Sequence, residues 1–413
     1  MFKAILVGAD YRNDGMIDYY MEELENLAIA SNLEVVYTIT QAINHITAKY
    51  YIGSGKVEEI KIYVDNLDAD IVIFNNELSG SQVRNIEAIL DCRVIDRTLL
   101  ILDIFAMRAK TKEAMLQVEI AQLDYMLPRL IGLTESLNRQ QGGIGSRGPG
   151  EKKLELDRRR IEIERSKLQK ELEEVVKNRQ IQRRTRNRSN IKKVAIVGYT
   201  NAGKSTLLNA LVESTSQNEE KKVLVKDMLF ATLETSTRYI SLENNKQFVV
   251  TDTVGFVSNL PHKLVDSFKS TLEEITEADY LVHVVDTSNP HYETQITVTK
   301  NTLKEIGVHD IPTIYIYNKI DLVDHEIIPK NTPFVKVSLL DSKGVSQVLE
   351  FIETEVFKDY KVIRLLIPFN DGDIVSYLNE NSNIISQEYT NEGTIIELEL
   401  SQVLIDKYAS YII

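Results

Sequence analysis

The chain has 413 residues, which is enough for two to four domains with sizeable cores. It contains 43% hydrophobic and 26% charged residues, carries a net charge of −13 and has a single cysteine, Cys92, so an internal disulfide is excluded. The sequence has no apolar run of 18 residues and no signal-peptide pattern at its start, so we expect a cytoplasmic protein without a transmembrane helix.

Residues 1–130 alternate short apolar segments with segments of helical periodicity. Because strands that alternate with helices form βαβ units, we expect an α/β domain with a parallel sheet. One continuous helix is predicted from residue 96 to 126, since Pro128 disfavours helix at the residue before it. The other predicted helices are 16–31, 56–67 and 79–90, and the predicted strands are 3–9, 33–39, 70–76 and 92–97.

Residues 131–190 are predicted to form a loop and then a long helix. The loop, 131–150, contains the glycine-rich GGIGSRGPG, which has no Gly-Lys-Ser end and follows no strand, so we do not expect it to hold phosphate. A narrow apolar stripe from Glu151 onward indicates an amphipathic helix packed in a helical hairpin. The stripe consists of Leu154, Ile161, Leu168, Leu172, Val175 and Val176.

Charge is distributed unevenly along the chain. Residues 142–193 contain 17 Lys and Arg but only 8 Asp and Glu, whereas the rest of the chain is strongly acidic. Such asymmetry points to a contact face for nucleic acid on an otherwise acidic protein. The alternative is an ordinary solvated helix surface of mixed charge.

Two further regions complete the chain. Residues 191–358 are predicted to form a second α/β domain, and residues 359–413 a small α+β domain. The predicted strands of the second α/β domain are 194–199, 247–253, 280–286, 312–318 and 333–338.

The segment GYTNAGKS, residues 198–205, fits the phosphate-loop pattern G-x-x-x-x-G-K-S after a predicted strand and before a predicted helix. In this motif backbone N–H groups surround the phosphates, so we expect Lys204 to reach the β- and γ-phosphates and the Ser205 hydroxyl to bind Mg²⁺. The candidate residues here are Gly198, Tyr199, Thr200, Asn201, Ala202, Gly203, Lys204, Ser205 and Thr206.

The segment DTVGF, residues 252–256, follows a predicted strand. Asp252 is expected to hold Mg²⁺ through water, and the Gly255 N–H to sense the γ-phosphate. Thr232 lies where a switch threonine binds Mg²⁺, although Thr235 and Thr237 are alternatives. The catalytic candidates are therefore Lys204, Thr232 and Gly255, and the metal ligands Ser205, Thr232 and Asp252. The nucleotide-binding candidates added here are Phe230, Ala231, Thr232, Asp252, Thr253, Val254 and Gly255.

The segment NKID, residues 318–321, ends another predicted strand. The Asp321 carboxylate offers two acceptors that match the N1–H and 2-amino donors of guanine, so GTP is expected rather than ATP. Asn318 and Lys319 would brace the base site. Ser338, Leu339 and Leu340, at the start of SLLDSKG, would close over the base.

Phe256 stands where small GTPases place a glutamine that orients the attacking water. A phenyl ring cannot orient water by hydrogen bonding. We therefore hypothesise that hydrolysis is slow in isolation and that a partner supplies or orders the missing group.

Together these segments resemble the HflX family of ribosome-associated GTPases over nearly the whole chain. The resemblance implies an N-terminal α/β domain with a helical hairpin, a Ras-like P-loop GTPase domain and a small C-terminal domain. It also implies GTP hydrolysis with GTP/GDP and Mg²⁺. The segments that carry it are IGSGKVEEI (52–60), VIDRTLLILDIFAMRAKT (94–111), QVEIAQLDYMLPRL (117–130), GGIGSRGPGEKKLELDRRR (142–160), GYTNAGKST, LFATLETSTR and DTVGF.

The partner implied by the resemblance is the large ribosomal subunit and its RNA, with residues 142–193 as the contact face. The implied role is rescue or splitting of stalled ribosomes, with GGIGSRGPG placed near the peptidyl transferase centre. We expect a monomer. Two departures from the family pattern are EKKLE at residues 151–155 and Leu339 after Ser338. The alternatives are a GTPase of ribosome assembly, and a GTP-responsive regulatory or scaffold protein that binds another partner through its hairpin.

Overall fold

The computed structural model of the chain describes residues 1–11, 15–140, 149–186, 191–215, 230, 236–242, 244–258 and 274–413. These residues form two compact units. The first unit contains the described chain up to Arg186 together with Phe230, Val257 and Ser258, and the second contains the rest of the described residues up to Ile413. No helix in the described ranges is long and apolar enough to span a membrane.

The first unit is built on a four-stranded parallel sheet in the order β2-β1-β3-β4. Side chains of β1 such as Ile5 and Val7 are fully buried against apolar residues of the second and third helices. This architecture confirms the predicted α/β fold class. The elements are β1 (Phe2–Asp10), α1 (Ile17–Ala30), β2 (Leu33–Ala42), α2 (Ser54–Leu67), β3 (Ile71–Phe74), α3 (Gly80–Leu90) and β4 (Arg93–Asp96).

The prediction of one helix over residues 96–126 is wrong, because two helices cover this region. The first, α4, spans Arg97–Arg108, and the second, α5, spans Lys112–Gln140. Between them Ala109 adopts an extended backbone conformation. The Thr111 hydroxyl then accepts a hydrogen bond from the Ala114 N–H at 3.2 Å, which satisfies a free donor at the start of the new helix.

Helix α5 also continues through Pro128, where the sequence predicted its end. The side chain of the next residue, Arg129, donates to the Leu78 carbonyl at 2.8 Å and to the Asp96 carboxylate at 2.7 Å. Its guanidinium also donates to the Tyr125 carbonyl at 2.9 Å. The contacts with Leu78 and Asp96 are tertiary and stabilise the turn around the proline, which removes one backbone hydrogen bond and crowds the carbonyl four residues earlier.

The loop predicted for residues 131–150 is therefore wrong at both ends. Helix α5 reaches Gln140 and the next helix, α6, already begins at Pro149 and ends at Arg186. Residues 141–148, which hold most of GGIGSRGPG, lie outside the described residues.

Helices α5 and α6 pack against each other as the predicted hairpin. Leu168 of α6 is buried with Leu116 and Ile120 of α5, and Leu172 and Val175 pack beside them. Arg165 of α6 forms an ion pair with Asp124 of α5. The side chain of Leu154 lies outside the described residues.

A buried ion pair in the first unit forms hydrogen bonds with the backbone of Ser258. Arg97 lies 2.5 Å from the Glu23 carboxylate and donates to the Ser258 carbonyl at 3.0 Å. Glu23 in turn accepts from the Ser258 N–H at 3.3 Å. A second contact in this unit joins the rings of Phe105 and Phe230, whose centroids are 4.7 Å apart. Ser258 and Phe230 are thus both held by residues of the first unit.

The second unit contains a six-stranded sheet in the order β10-β9-β8-β5-β7-β6, in which only β6 runs antiparallel to its neighbour. The sequence did not predict β6, an edge strand in which only Ile240 is buried. The elements are β5 (Lys192–Gly198), α7 (Lys204–Thr215), β6 (Ser236–Ser241), β7 (Gln247–Asp252), β8 (Tyr280–Asp286), α8 (Tyr292–Glu305), β9 (Thr313–Asn318), β10 (Phe334–Lys336) and α9 (Ser342–Val356).

The second unit ends in the predicted small α+β fold, a three-stranded antiparallel sheet in the order β11-β13-β12. Alternate residues of β13, including Ile396 and Leu398, are buried in its core. The elements are β11 (Lys361–Ile367), α10 (Gly372–Asn381), β12 (Asn383–Tyr389), β13 (Thr394–Leu400) and α11 (Gln402–Lys407).

Lys246, in the turn between β6 and β7, links this small fold to the larger sheet. Its ammonium lies 3.2 Å from Glu353 of α9 and 2.8 Å from Glu399 of β13. The hydrogen bond from Lys246 is the main cause that lowers the pKa of Glu399, and a bond from Asn383 adds to it. Because a lowered carboxyl pKa contributes stability that is lost as the pH falls through it, this link should weaken in acid.

We predict that Lys246→Met destabilises the protein near neutral pH by about 1 kcal/mol, since it leaves two carboxylates without their cation. The difference from the wild type should shrink as the pH falls below about 4.3, the ordinary pKa of glutamate. Thermal unfolding across this pH range measures both effects, with the exposed Lys343→Met on α9 as control. A destabilisation that stays constant down to low pH would contradict the assignment to Glu399.

Candidate nucleotide-binding site

The loop between β5 and α7 carries the phosphate-loop motif and passes very close to the two neighbouring strands. Gly198 has φ +148°, and a Cβ there would lie 2.3 Å from the Val284 carbonyl oxygen of β8. Gly203 has φ +101°, and a Cβ there would lie 2.4 Å from the Asn318 amide nitrogen at the end of β9. Both positions therefore require glycine, for backbone conformation and for space.

Lys204 lies inside this loop and is only 6% exposed. Its ammonium donates to the carbonyls of Gly198 at 3.1 Å and Tyr199 at 2.7 Å. Burial lowers the pKa of Lys204 to about 8, while the charge of Asp252 opposes the shift. The loop thus holds a cation that an anionic phosphate would stabilise in its charged form.

The predicted metal ligands Ser205 and Asp252 meet at the start of α7. The Ser205 hydroxyl donates to the Asp252 carboxylate at 2.7 Å, and Asp252 is completely buried. Thr253 holds the same segment by donating to the Ile196 carbonyl at 2.7 Å. A hydroxyl and a carboxylate are the hard oxygen donors that Mg²⁺ prefers, so this donor set fits the ion. Ala231 and the third predicted ligand, Thr232, lie outside the described residues.

The DTVGF segment lies directly on the phosphate loop. Phe256 donates its N–H to the Gly198 carbonyl at 3.2 Å and accepts from the Thr200 N–H at 2.8 Å. A Cβ on Gly255 would lie 2.7 Å from the Thr200 methyl and 2.9 Å from the Lys204 ammonium. The Phe256 side chain is 4% exposed, so this position presents an apolar group packed in the protein.

The NKID motif follows β9 and is connected to two other segments of the site. The buried Asn318 side chain donates to the Ala202 carbonyl at 3.0 Å and accepts from the Leu339 N–H at 3.1 Å. Asp321 lies in an exposed 3₁₀ turn, Ile320–Leu322. Of the neighbouring loop, Leu339 is buried and Leu340 is exposed.

The structure thus brings four predicted segments together at one edge of the sheet, namely Gly198–Thr206, Asp252–Gly255, Asn318–Asp321 and Ser338–Leu340. Phe230 is buried against Phe105 of the first unit.

Sequence reading missed Asp286 and Thr287, which also contact the NKID motif. Thr287 donates its N–H and hydroxyl to the Asn318 carbonyl at 3.0 and 2.5 Å. The Asp286 carboxylate lies 2.6 Å from the Lys319 ammonium. The only sequence signal was a carboxylate at the end of a predicted parallel strand, the edge where such folds bind ligands.

Comparison with known proteins finds three family models that match successive regions of the chain between residues 18 and 319. Residues 18–106 match the model of the GTP-binding GTPase N-terminal region, residues 108–186 that of the GTP-binding GTPase middle region, and residues 193–319 that of the 50S ribosome-binding GTPase.

Two curated relatives are similar over nearly their whole length. GTPase HflX of Caldanaerobacter subterraneus subsp. tengcongensis is 44% identical over 394 residues, which cover 95% of this chain and 90% of the relative. GTPase HflX of Escherichia coli is 37% identical over 413 residues, which cover 98% and 94%. Among solved structures, a GTP-binding protein from Sulfolobus solfataricus in complex with GDP aligns with a TM-score of 0.46 and 24% identity, over 86% of this chain and 98% of that chain.

We predict that Gly203→Ala weakens guanine nucleotide binding roughly tenfold or more, because the new methyl group must displace Asn318 or the loop. GDP titration measures the loss. Gly307→Ala is a matched control, since Gly307 also has a positive φ, +89°, but nothing lies within 4 Å of its Cβ position. Equal effects of the two substitutions on GDP affinity would show that crowding at Gly203 is irrelevant.

We also predict that nucleotide affinity falls as the pH rises from about 7 to about 9, because Lys204 loses its proton near pH 8 when no phosphate is bound. Binding should then be accompanied by proton uptake in this range. Calorimetric GDP titrations in buffers of different ionisation enthalpy measure that uptake. Lys204→Met should abolish the Lys204 contribution, and an unchanged proton uptake in this variant would assign it to another group.

Proposed function

The chain belongs to the HflX family of GTPases, and from this premise we propose that it binds the large ribosomal subunit and uses GTP to split or rescue stalled ribosomes. The chain hydrolyses GTP and binds guanine nucleotides as a member of that family. The proposal of a ribosomal partner rests on the match of residues 193–319 to a family described as 50S ribosome-binding GTPase.

In this proposal the chain's own residues position GTP for hydrolysis. The loop backbone and Lys204 hold the phosphates, and Asp321 reads the guanine edge. Ser205 and Asp252, already hydrogen-bonded, would hold Mg²⁺ together with Thr232. The ion would neutralise charge on the β- and γ-phosphates. Because Phe256 offers no polar group to the attacking water, a ribosomal group is proposed to complete the site.

The exposed basic side chains on one face of α6 support the proposal that the partner contains RNA. The described side chains from residue 155 to 177 include seven basic and seven acidic residues, so this stretch is neutral overall. Its charges are unevenly distributed around the helix. At about 100° per residue, the exposed Arg159, Lys170 and Lys177 lie opposite the buried Leu168, and the exposed Arg160 and Lys167 lie to one side of them. This outer face also contains the exposed Leu156, Ile163 and Glu174, so it carries five basic side chains and one acidic one.

A basic face of this kind suits a phosphate backbone. Lys and Arg neutralise phosphates and release their counterions, and RNA is recognised largely by shape and backbone contacts. Arg165 and Lys112 differ from the basic residues of this face. Each forms an ion pair with a carboxylate on the other helix of the hairpin. The net basic charge expected for residues 142–193 comes mostly from side chains outside the described residues.

We predict that Lys167→Glu combined with Lys170→Glu weakens binding to large ribosomal subunits about tenfold or more, because two attractive contacts with phosphate become repulsive. GTP affinity should stay unchanged, since both residues lie on α6. Co-sedimentation in sucrose gradients with a non-hydrolysable GTP analogue measures the binding across a salt series. Lys343→Glu on α9, which reverses one charge outside the hairpin, is the control for charge reversal elsewhere.

The same gradients separate the alternatives. Wild-type protein that travels with mature large subunits supports the proposal, and protein that travels only with precursor particles indicates a role in ribosome assembly. Protein that travels with no RNA-containing particle indicates a regulatory or scaffold protein. Deletion of residues 142–148 should impair splitting of ribosomes and spare GTP binding.

A further inference from the structure

We propose that Asp286 is a positioning residue for guanine binding, which acts by fixing Lys319 of the NKID motif. Asp286 is the last residue of β8 and lies directly beside Asn318, the last residue of β9. Both strands therefore end at the edge where the nucleotide motifs meet. This inference rests on guanine binding at NKID and is independent of the ribosomal partner.

Both oxygens of the Asp286 carboxylate are engaged. One oxygen lies 2.6 Å from the Lys319 ammonium, and the two side chains are 14% and 25% exposed. The other oxygen accepts from the N–H of Ser288 at 3.0 Å and from its hydroxyl at 2.6 Å. The bonds to Ser288 fix the orientation of the carboxylate, so it presents a fixed oxygen to Lys319.

Lys319 needs such a restraint because its backbone is in the left-handed region, with φ 62° and ψ 32°. This conformation is unfavourable for a non-glycine residue, because its Cβ crowds the following carbonyl oxygen. It starts the 3₁₀ turn Ile320–Leu322, which carries Asp321. Thr287 adds a second restraint on the same corner by donating twice to the Asn318 carbonyl. Asp286 and Thr287, which are consecutive at the end of β8, thus bind Lys319 and Asn318, which are consecutive in NKID.

The consequence for binding is preorganisation. With its ammonium held by Asp286, the four-carbon stem of Lys319 is already ordered before a base arrives. Binding then costs less side-chain entropy than it would with a mobile lysine. An exposed ion pair that only joins two surface residues would leave nucleotide affinity unchanged.

The test is a double-mutant cycle on the full-length protein with Asp286→Asn, Lys319→Met and the combination. We expect Asp286→Asn to weaken GDP and GTP affinity about three- to tenfold, to raise KM by the same factor and to leave kcat unchanged. In the Lys319→Met background, Asp286→Asn should have no further effect, because the side chain that it positions is gone. Calorimetric titration with GDP and steady-state GTP hydrolysis provide these values.

Two controls separate positioning from folding. Glu350→Gln removes an exposed carboxylate from α9 and should change neither affinity nor KM. Thermal unfolding shows whether Asp286→Asn is folded, and Asp286→Glu, which keeps the charge, should recover part of the affinity. Unchanged GDP affinity in Asp286→Asn, or an equal loss in the Lys319→Met background, would overturn the proposal. Failure of the wild type to bind GDP would instead refute the nucleotide site itself.

Discussion

The nucleotide site depends on the buried side-chain amide of Asn318. It donates to the Ala202 carbonyl in the phosphate loop and accepts from the Leu339 N–H in the loop after β10. An unsatisfied buried polar group costs about 1–3 kcal/mol, so these three segments are most stable when they keep their mutual spacing. The requirement for glycine at position 203 follows from the same contact, since Asn318 occupies the place of a Cβ there.

These contacts between the three segments form because the carboxyl ends of the parallel strands lie at the same edge of the sheet. Strands β5, β7, β8 and β9 run in the same direction, so the residues that follow them come together although they are distant in sequence. Such an edge is where open α/β sheets bind ligands. The phosphate loop, the DTVGF segment, Asp286 and NKID each extend from a different strand. The antiparallel β6 lies at the far edge of the sheet from β10.

Buried charge has two different uses in the chain. Arg97 and Glu23 form a buried pair that also hydrogen-bonds to the backbone of Ser258, three residues after Gly255. Among the described residues, Lys204 has no carboxylate in hydrogen-bonding contact, and its buried ammonium donates to two carbonyls. In the first arrangement the charge of the arginine is neutralised within the protein. The second keeps an ammonium available for an anion, which is consistent with its lowered pKa.

The sequence by itself determined the α/β class, most strands and helices, the hairpin stripe around Leu168 and the motifs of a guanine nucleotide site. These features depend on periodicity and spacing within short segments, which a single sequence displays directly. Only the tertiary structure decided that α5 passes through Pro128 and that Asp286 holds Lys319. Both depend on partners far apart in sequence, such as Arg129 with Asp96, and no local pattern records which distant residues the fold will bring together.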